Sequence, residues 1–132
     1  MIRNLLRALA WLTAVMVIGC GTEPTLCTSE LRAITIVVRT ADGSPVPGLT
    51  ILDTVLRTGE GFEVPQGGGG APQQLHRIFD DSFLPRIRPT GDSVRVTGVE
   101  GATPRFAADF AFDAPGGCHV RKVAGPDTVT IP

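Results

Sequence analysis

The chain has 132 residues, with 12 Lys or Arg against 13 Asp or Glu and a formal net charge of −1. This length is enough for one domain of ordinary size. No stretch is strongly basic, which argues against nucleic-acid binding, because that binding needs Lys and Arg to neutralise phosphates. The 16 Gly and 11 Pro, with six Phe, one Trp and no Tyr, are typical of many short strands joined by turns.

Residues 1–19 are predicted to be a secretory signal peptide. Arg3 and Arg7 precede an apolar stretch over residues 8–18 that only Thr13 interrupts. A short charged region followed by a short apolar region is the layout of such a signal. The stretch is about half the ~20 residues that a membrane-spanning helix needs. It is also apolar on all faces, unlike an amphipathic helix, so we expect a targeting segment that is cleaved.

The apolar stretch ends in Val-Ile-Gly-Cys at residues 17–20, which resembles the lipobox of bacterial lipoproteins. In that family the Cys receives a diacylglycerol, the peptide is cut before it, and the new amino group is acylated, commonly with palmitate. The resemblance implies that Cys20 carries a lipid membrane anchor, and two or more acyl chains hold a protein firmly. Gly21 stands where Asp retains many lipoproteins in the inner membrane, which favours the outer membrane, at its periplasmic face or the cell surface. A plain secretory signal with a chance Cys is the alternative.

The mature chain is predicted to divide into a lipidated tether over residues 20–32 and a domain over residues 33–132. Because the signal peptide removes two Arg, ten basic and thirteen acidic residues remain, a net charge of −3. A mildly acidic body is not attracted to an anionic membrane surface. We therefore expect the lipid alone to hold the protein at the membrane.

Cys27 and Cys118 remain once Cys20 is assigned to the lipid. An exported chain enters an oxidising compartment, where an even pair of thiols most simply forms one disulfide. Zinc is not expected, since two thiols supply half a tetrahedral site and only His76 and His119 could complete it. We therefore predict a Cys27–Cys118 disulfide, no metal and no cofactor.

Strand signals follow one another through the domain. Residues 106–112, FAADFAF, place three Phe at a period of two, which favours a strand at the centre of the core. Residues 65–74 contain four consecutive Gly and predict a flexible loop, and residues 80–92 are expected to be irregular. The other predicted strands are 33–40, 49–57, 62–64, 75–79, 94–99, 118–123 and 128–131. Together they predict an all-β, Ig-like or transthyretin-like antiparallel β-sandwich of about seven strands.

Two turns and the strands beside them carry a second resemblance. The strand ITIVVRT leads into the turn DGSPVPG (residues 42–48), then a second strand, then TGEGFEV (residues 58–64). This order is similar to the start of carboxypeptidase regulatory-like (transthyretin-like) domains. The Pro-Gly-x-Tyr strand that usually follows in that family is missing, since the chain has no Tyr. The resemblance implies a non-catalytic accessory or adhesion-type module and transfers no functional residue.

No catalytic constellation is evident in the sequence, so we expect that the protein is not an enzyme. His76 is interpreted as a surface residue beside the glycine loop, and His119 as an outward residue of a strand. Clustered carboxylates could bind calcium, and clustered arginines could bind an anionic glycan, although a solvated face is the simpler interpretation. These candidates are Asp80, Asp81 and Asp92, and Arg86, Arg88 and Arg95.

The favoured function is therefore a non-catalytic binding or structural module, lipid-anchored in the bacterial cell envelope. Its expected partners are the membrane, through Cys20, and an envelope protein or glycan. Two alternatives stay open at this point. One is a carbohydrate- or calcium-dependent adhesion module, and the other is a small envelope enzyme, or an accessory domain of one, centred on His76 or His119.

Overall fold

A computed structural model describes residues 26–67 and 74–132. In these residues, eight strands form two sheets that lie face to face as a β-sandwich, which confirms the predicted fold class. The predicted signal peptide, Cys20 and most of the glycine loop lie outside the described residues. Within them, no helix is both long enough and apolar enough to cross a membrane.

The smaller sheet has three strands, β1 (Ala33–Thr40), β4 (Leu75–Asp80) and β8 (Thr128–Ile131). Their order is β4-β1-β8, with β1 antiparallel to β4 and parallel to β8. Among the described strands, β1 and β8 are the only parallel pair, which the antiparallel prediction did not include. The chain crosses from one sheet to the other before β8, so the last strand arrives beside β1 pointing the same way.

The larger sheet has five antiparallel strands. They are β2 (Thr50–Val55), β3 (Glu60–Val64), β5 (Asp92–Glu100), β6 (Thr103–Asp113) and β7 (Arg121–Ala124). Their order is β3-β2-β5-β6-β7. The connections place two distinct ends on the sandwich. The start of β1 and the end of β4 lie at the end where residues 26–32 enter the domain, here named the tether end, and the β5–β6 turn lies at the opposite end.

Two segments differ from the sequence prediction. The seventh strand begins at Arg121 instead of residue 118, because Pro115–Gly117 forms a short 3₁₀ turn and Cys118 has helical backbone angles. Residues 80–92 contain a 3₁₀ helix, Asp81–Arg86, where an irregular segment was expected. The carboxylate of Asp80 caps this helix by accepting the N–H of Ser82 at 2.9 Å, an N-cap preference of Asp.

The core lies between the two sheets, and the period-two pattern of FAADFAF fills its centre as predicted. Phe110 and Phe112 are 1% and 0% exposed, and the ring of Phe112 stacks on Phe79 of the facing sheet with centroids 4.7 Å apart. Gly125, between β7 and β8, lies against Phe110 so closely that a Cβ there would be 2.3 Å from the ring. The cross-over between the sheets therefore requires a glycine at this position.

Candidate functional site at the tether end of the domain

The predicted disulfide between Cys27 and Cys118 is confirmed, and it joins positions 91 residues apart with their Cα atoms 5.1 Å from each other. It links the chain that enters the domain to the turn before β7. In the chain-entropy description, a closed loop of this length stabilises the fold by roughly 4–5 kcal/mol. The bridge fixes the relative positions of two segments that share no strand pairing.

The residue after each cysteine takes part in one hydrogen-bonded chain. The hydroxyl of Thr28 lies 2.7 Å from Nε2 of His119, and Nδ1 of the same ring lies 2.7 Å from Oδ2 of Asp81. The structure thus brings together a hydroxyl, an imidazole and a carboxylate from three distant segments. Because Thr28 and His119 follow Cys27 and Cys118 directly, the disulfide holds them near each other.

Asp81 is the fixed member of this chain. Oδ1 accepts the backbone N–H of Val120 at 2.7 Å, and Oδ2 accepts that of Arg32 at 2.8 Å as well as His119. Burial opposes the charged form of Asp81, but the hydrogen bonds from His119 and the two backbone groups outweigh it and lower the pKa of the carboxyl. Asp81 therefore stays ionised and selects the imidazole form that carries a proton on Nδ1.

The site corrects two interpretations of the histidines. His119 is not an outward strand residue: it precedes β7, and its side chain is only 14% exposed. His76 is not a surface residue either, being 4% exposed with Nε2 2.8 Å from the carbonyl oxygen of Val46. It pairs with the inward-facing Ile36 across β1 and β4, so it faces the core despite the polar loop before it.

A groove of about 610 Å³ opens beside this chain of hydrogen bonds. Residues 30–34 line one wall, and Pro115 with residues 118–122 lines the other. The two walls belong to different sheets. The groove lies beside the first half of β1, because β8 begins only opposite Val37. The volume is within the range of small-molecule binding sites.

One wall of the groove is a strand edge. β8 pairs only with the second half of β1, from Val37 onward. Strand alternation directs the backbone groups of Ala33 and Thr35 away from β4 and towards the groove, where they have no strand partner among the described residues. An unpaired edge of this kind can accept the backbone of another chain.

The carboxylates proposed to share a calcium ion are not brought together. Asp80 caps the 3₁₀ helix, Asp81 holds His119, and Asp92 accepts two hydrogen bonds from Arg57 at 2.8 Å. The bonds from Arg57, with further ones from Arg88, hold the pKa of Asp92 well below its ordinary value. In the described ranges no group of three or more potential metal-ligating side chains occurs.

The three candidate arginines also have separate internal partners. Arg86 pairs with Glu60 and lies over the ring of Phe62, with its guanidinium carbon 4.7 Å from the ring centroid. Arg88 binds Asp92 at 3.1 Å, and Arg95 binds Asp109 at 2.7 Å. Arg88 shares Asp92 with Arg57, and the other two arginines each have an acid of their own, so the three do not converge on a shared site for an anion.

Sequence reasoning missed one buried acid altogether. Asp53 lies on β2 between the inward-facing Ile51 and Val55 and is 1% exposed. Neither of its carboxyl oxygens has a hydrogen-bond partner among the residues that the structure describes. Burial raises the pKa of Asp53 to about 8. The alternation Ile-x-Asp-x-Val was the signal that could have identified it.

Comparison with known proteins adds no relative to this description. No family model matches the chain, and no curated protein or solved structure matches it significantly. The resemblances of residues 17–20 and 34–64 therefore remain predictions.

Proposed function

We propose that this protein is a lipid-anchored β-sandwich of the bacterial cell envelope, held through Cys20 in the outer membrane, which acts as a binding module for an envelope protein or glycan. The observation that supports binding is the groove of about 610 Å³ at the tether end, which lies between the unpaired half of β1 and the start of β7. The resemblance of residues 34–64 to carboxypeptidase regulatory-like domains supports an accessory role of this kind.

The groove and the proposed anchor belong to the same end of the molecule. Leu26 is the sixth residue after Cys20, so even a fully extended chain between them reaches only about 20 Å. Cys27 is bonded to Cys118, which itself lines the groove. A lipid on Cys20 would therefore hold the groove close to the membrane surface, where envelope partners are concentrated.

The walls of the groove carry chemistry suited to an extended segment. Backbone groups of Ala33, and of Thr35 just beyond the lining residues, offer strand pairing, and Leu31, which is 60% exposed, offers an apolar contact beside them. Arg32 is exposed on the same wall. Strand addition obtains affinity from the backbone and specificity from alternate side chains, and this wall presents both.

The anchor is tested by Cys20→Ala in the full chain. We expect the variant to lose incorporation of an alkyne-labelled palmitate and to leave the membrane fraction, because one thiol carries the whole attachment. The matched control is Cys27→Ala, which removes a different thiol and should remain labelled. Continued membrane fractionation of Cys20→Ala would contradict the lipoprotein proposal.

The groove is tested by placing a photo-cross-linking amino acid at Leu31 in the membrane-bound protein. The control carries the same group at Ala102, in the β5–β6 turn at the opposite end. We expect a discrete adduct from position 31 that position 102 does not give, and we expect Thr35→Pro, which places a ring on the unpaired edge, to abolish it. Equal adducts from both positions would count against the groove as the binding surface.

A further inference from the structure

The hydrogen-bonded chain at the tether end has the arrangement of an activated nucleophile. A hydroxyl, an imidazole and a carboxylate follow one another with both heavy-atom distances at 2.7 Å. We propose that Thr28 is a nucleophile for acyl transfer from carboxylic esters, with His119 as general base and Asp81 as the residue that orients it. This activity goes beyond binding, runs against the expectation that the protein is not an enzyme, and gives a specific chemistry to the alternative of an enzyme centred on His119.

The imidazole has the form that a general base needs. Asp81 accepts the proton-bearing Nδ1, so the lone pair of the neutral ring is on Nε2, which faces the hydroxyl of Thr28. A nucleophile and base within hydrogen-bond reach, with the base oriented by a third group, define an activated hydroxyl. The backbone N–H groups of Arg32 and Val120 in turn fix the carboxylate.

Solvent exposure increases along the hydrogen-bonded chain from Asp81 to Thr28, which is the direction that catalysis requires. The side chains of Asp81 and His119 are 10% and 14% exposed, whereas Thr28 is an exposed residue that a substrate can reach. The orienting carboxylate is therefore sheltered from water, and the attacking oxygen is not. A hydrogen bond that served only to seal the core would not need its terminal hydroxyl at the surface.

The disulfide supplies the preorganisation. Thr28 and His119 come from opposite ends of the chain, and each directly follows a bridged cysteine. A covalent link one residue away limits the relative motion of the two groups and keeps the hydroxyl at the base. Holding reacting groups in place is itself a large part of enzymatic rate enhancement.

The adjoining groove provides room for an ester and a positive charge beside it. His119, Cys118 and the exposed Arg32 all line this groove. A guanidinium on the wall is suited to stabilise the oxyanion that forms when a hydroxyl attacks a carbonyl carbon. Thr28 is not itself a lining residue, but its hydroxyl lies 2.7 Å from the ring of His119, which is one, so an ester bound beside His119 can reach it. The substrate class is therefore carboxylic esters small enough for a groove of about 610 Å³.

The reaction balances with water as the only co-reactant. The oxygen of Thr28 bonds to the ester carbonyl carbon while its proton passes to Nε2 of His119. The carbon–oxygen bond to the leaving alcohol then breaks, and the alcohol takes that proton. Water next attacks the acyl-threonine, His119 accepts a proton from it and returns this proton to the oxygen of Thr28, and the carboxylic acid is released.

The test uses the full-length protein in detergent with p-nitrophenyl acetate as the ester. Release of p-nitrophenolate reports turnover, and tandem mass spectrometry of the reduced, digested protein locates any acetyl group. Ser29 is the internal control, because its primary hydroxyl is exposed and less hindered than that of Thr28. We expect acetyl transfer to Thr28 in preference to Ser29 and to Lys122, the only lysine.

The variants separate catalysis from a structural role. His119→Gln should slow acylation of Thr28 about 100-fold or more, the contribution of a general base. Thr28→Val, which keeps the shape and removes the hydroxyl at an exposed position, should abolish the reaction while the disulfide and cooperative unfolding persist. Ser29→Ala should leave the rate unchanged. Acetylation that prefers Ser29 or Lys122, or a release rate that Thr28→Val does not alter, would overturn the proposal.

Discussion

Asp53 is a fully buried carboxylic acid and Asp81 a largely sheltered one, and their surroundings are opposite. At the tether end, three donors surround Asp81 and keep it ionised. Between the sheets, Asp53 has apolar neighbours and no hydrogen-bond partner among the described residues, and burial raises its pKa to about 8. The difference shows that burial alone does not decide the charge of an acid; the number of donors aimed at it does.

The two acids should give stability opposite dependences on pH. The pKa of Asp53 is raised on folding, so its contribution to stability is fully present below about 3.8 and is lost as pH rises towards 8. The pKa of Asp81 is lowered, so its contribution is present above its unfolded value and lost as pH falls below it. Asp92 acts in the same direction as Asp81. For these three acids together, stability is therefore expected to be greatest near pH 4 and to fall as pH rises towards 8.

The largest expected effect is that of Asp53→Leu. Between pH 3.8 and about 8, Asp53 is ionised in the unfolded chain but not in the folded protein. This difference lowers the free energy of unfolding by on the order of 5 kcal/mol at pH 8. Urea unfolding should show the variant more stable by about 1–3 kcal/mol at pH 4, where only an unpaired polar group is removed, and by about 5 kcal/mol more than that at pH 8.

Asp53→Asn is the matched control for that experiment. It removes the ionisable group but keeps a buried polar side chain, so it should abolish the pH dependence without giving the full gain in stability. If the wild-type protein is equally stable at pH 4.5 and pH 8, Asp53 has a partner in solution and the contrast with Asp81 fails.

The second-largest effect on stability is expected from loss of the disulfide at the tether end. Replacing both Cys27 and Cys118 with Ser should lower the free energy of unfolding by about 2–5 kcal/mol. The loss should be accompanied by faster amide exchange at Val120, whose N–H is bound to Asp81, while amides of the Phe110 strand keep their relative protection. Uniform loss of protection would mean that the tether end is not a separate unit.

A smaller effect is expected for Asp81→Asn. An amide cannot accept from three donors as the carboxylate does, and hydrogen bonds to charged groups are worth about 1.5–3 kcal/mol. The control is Asp109→Asn, which breaks a solvent-exposed pair with Arg95 and should change stability much less. Equal effects in thermal unfolding at pH 7 would show that Asp81 contributes no more than a surface ion pair.

Local sequence patterns were enough to predict the β-sandwich and its disulfide. The strands Ala33–Thr40 and Thr128–Ile131 were predicted to the residue, because alternating β-branched side chains and flanking turns act over a few positions. The disulfide followed from counting thiols. The hydroxyl–imidazole–carboxylate chain did not, because Thr28, Asp81 and His119 lie on separate segments and only tertiary packing brings them together.

The surroundings of both histidines were predicted wrongly from their neighbours in the sequence. His76 was judged by the polar loop beside it, whereas its pairing with Ile36 turns it inward. His119 was assigned to a strand, whereas the turn over Pro115–Gly117 delays that strand and frees the ring to meet Asp81. In both cases the backbone course, and not the residue type, decided what the side chain touches.

The parallel pairing of β8 with β1 joins two strands that lie far apart in the sequence. The first strand acquires its second neighbour only from residues 128–131, so the smaller sheet is a two-stranded ribbon until β8 has paired. Isolated ribbons of this kind are marginally stable, and pairings between such distant positions form slowly. The smaller sheet is therefore expected to be completed late in folding, after the antiparallel pairs of the larger sheet.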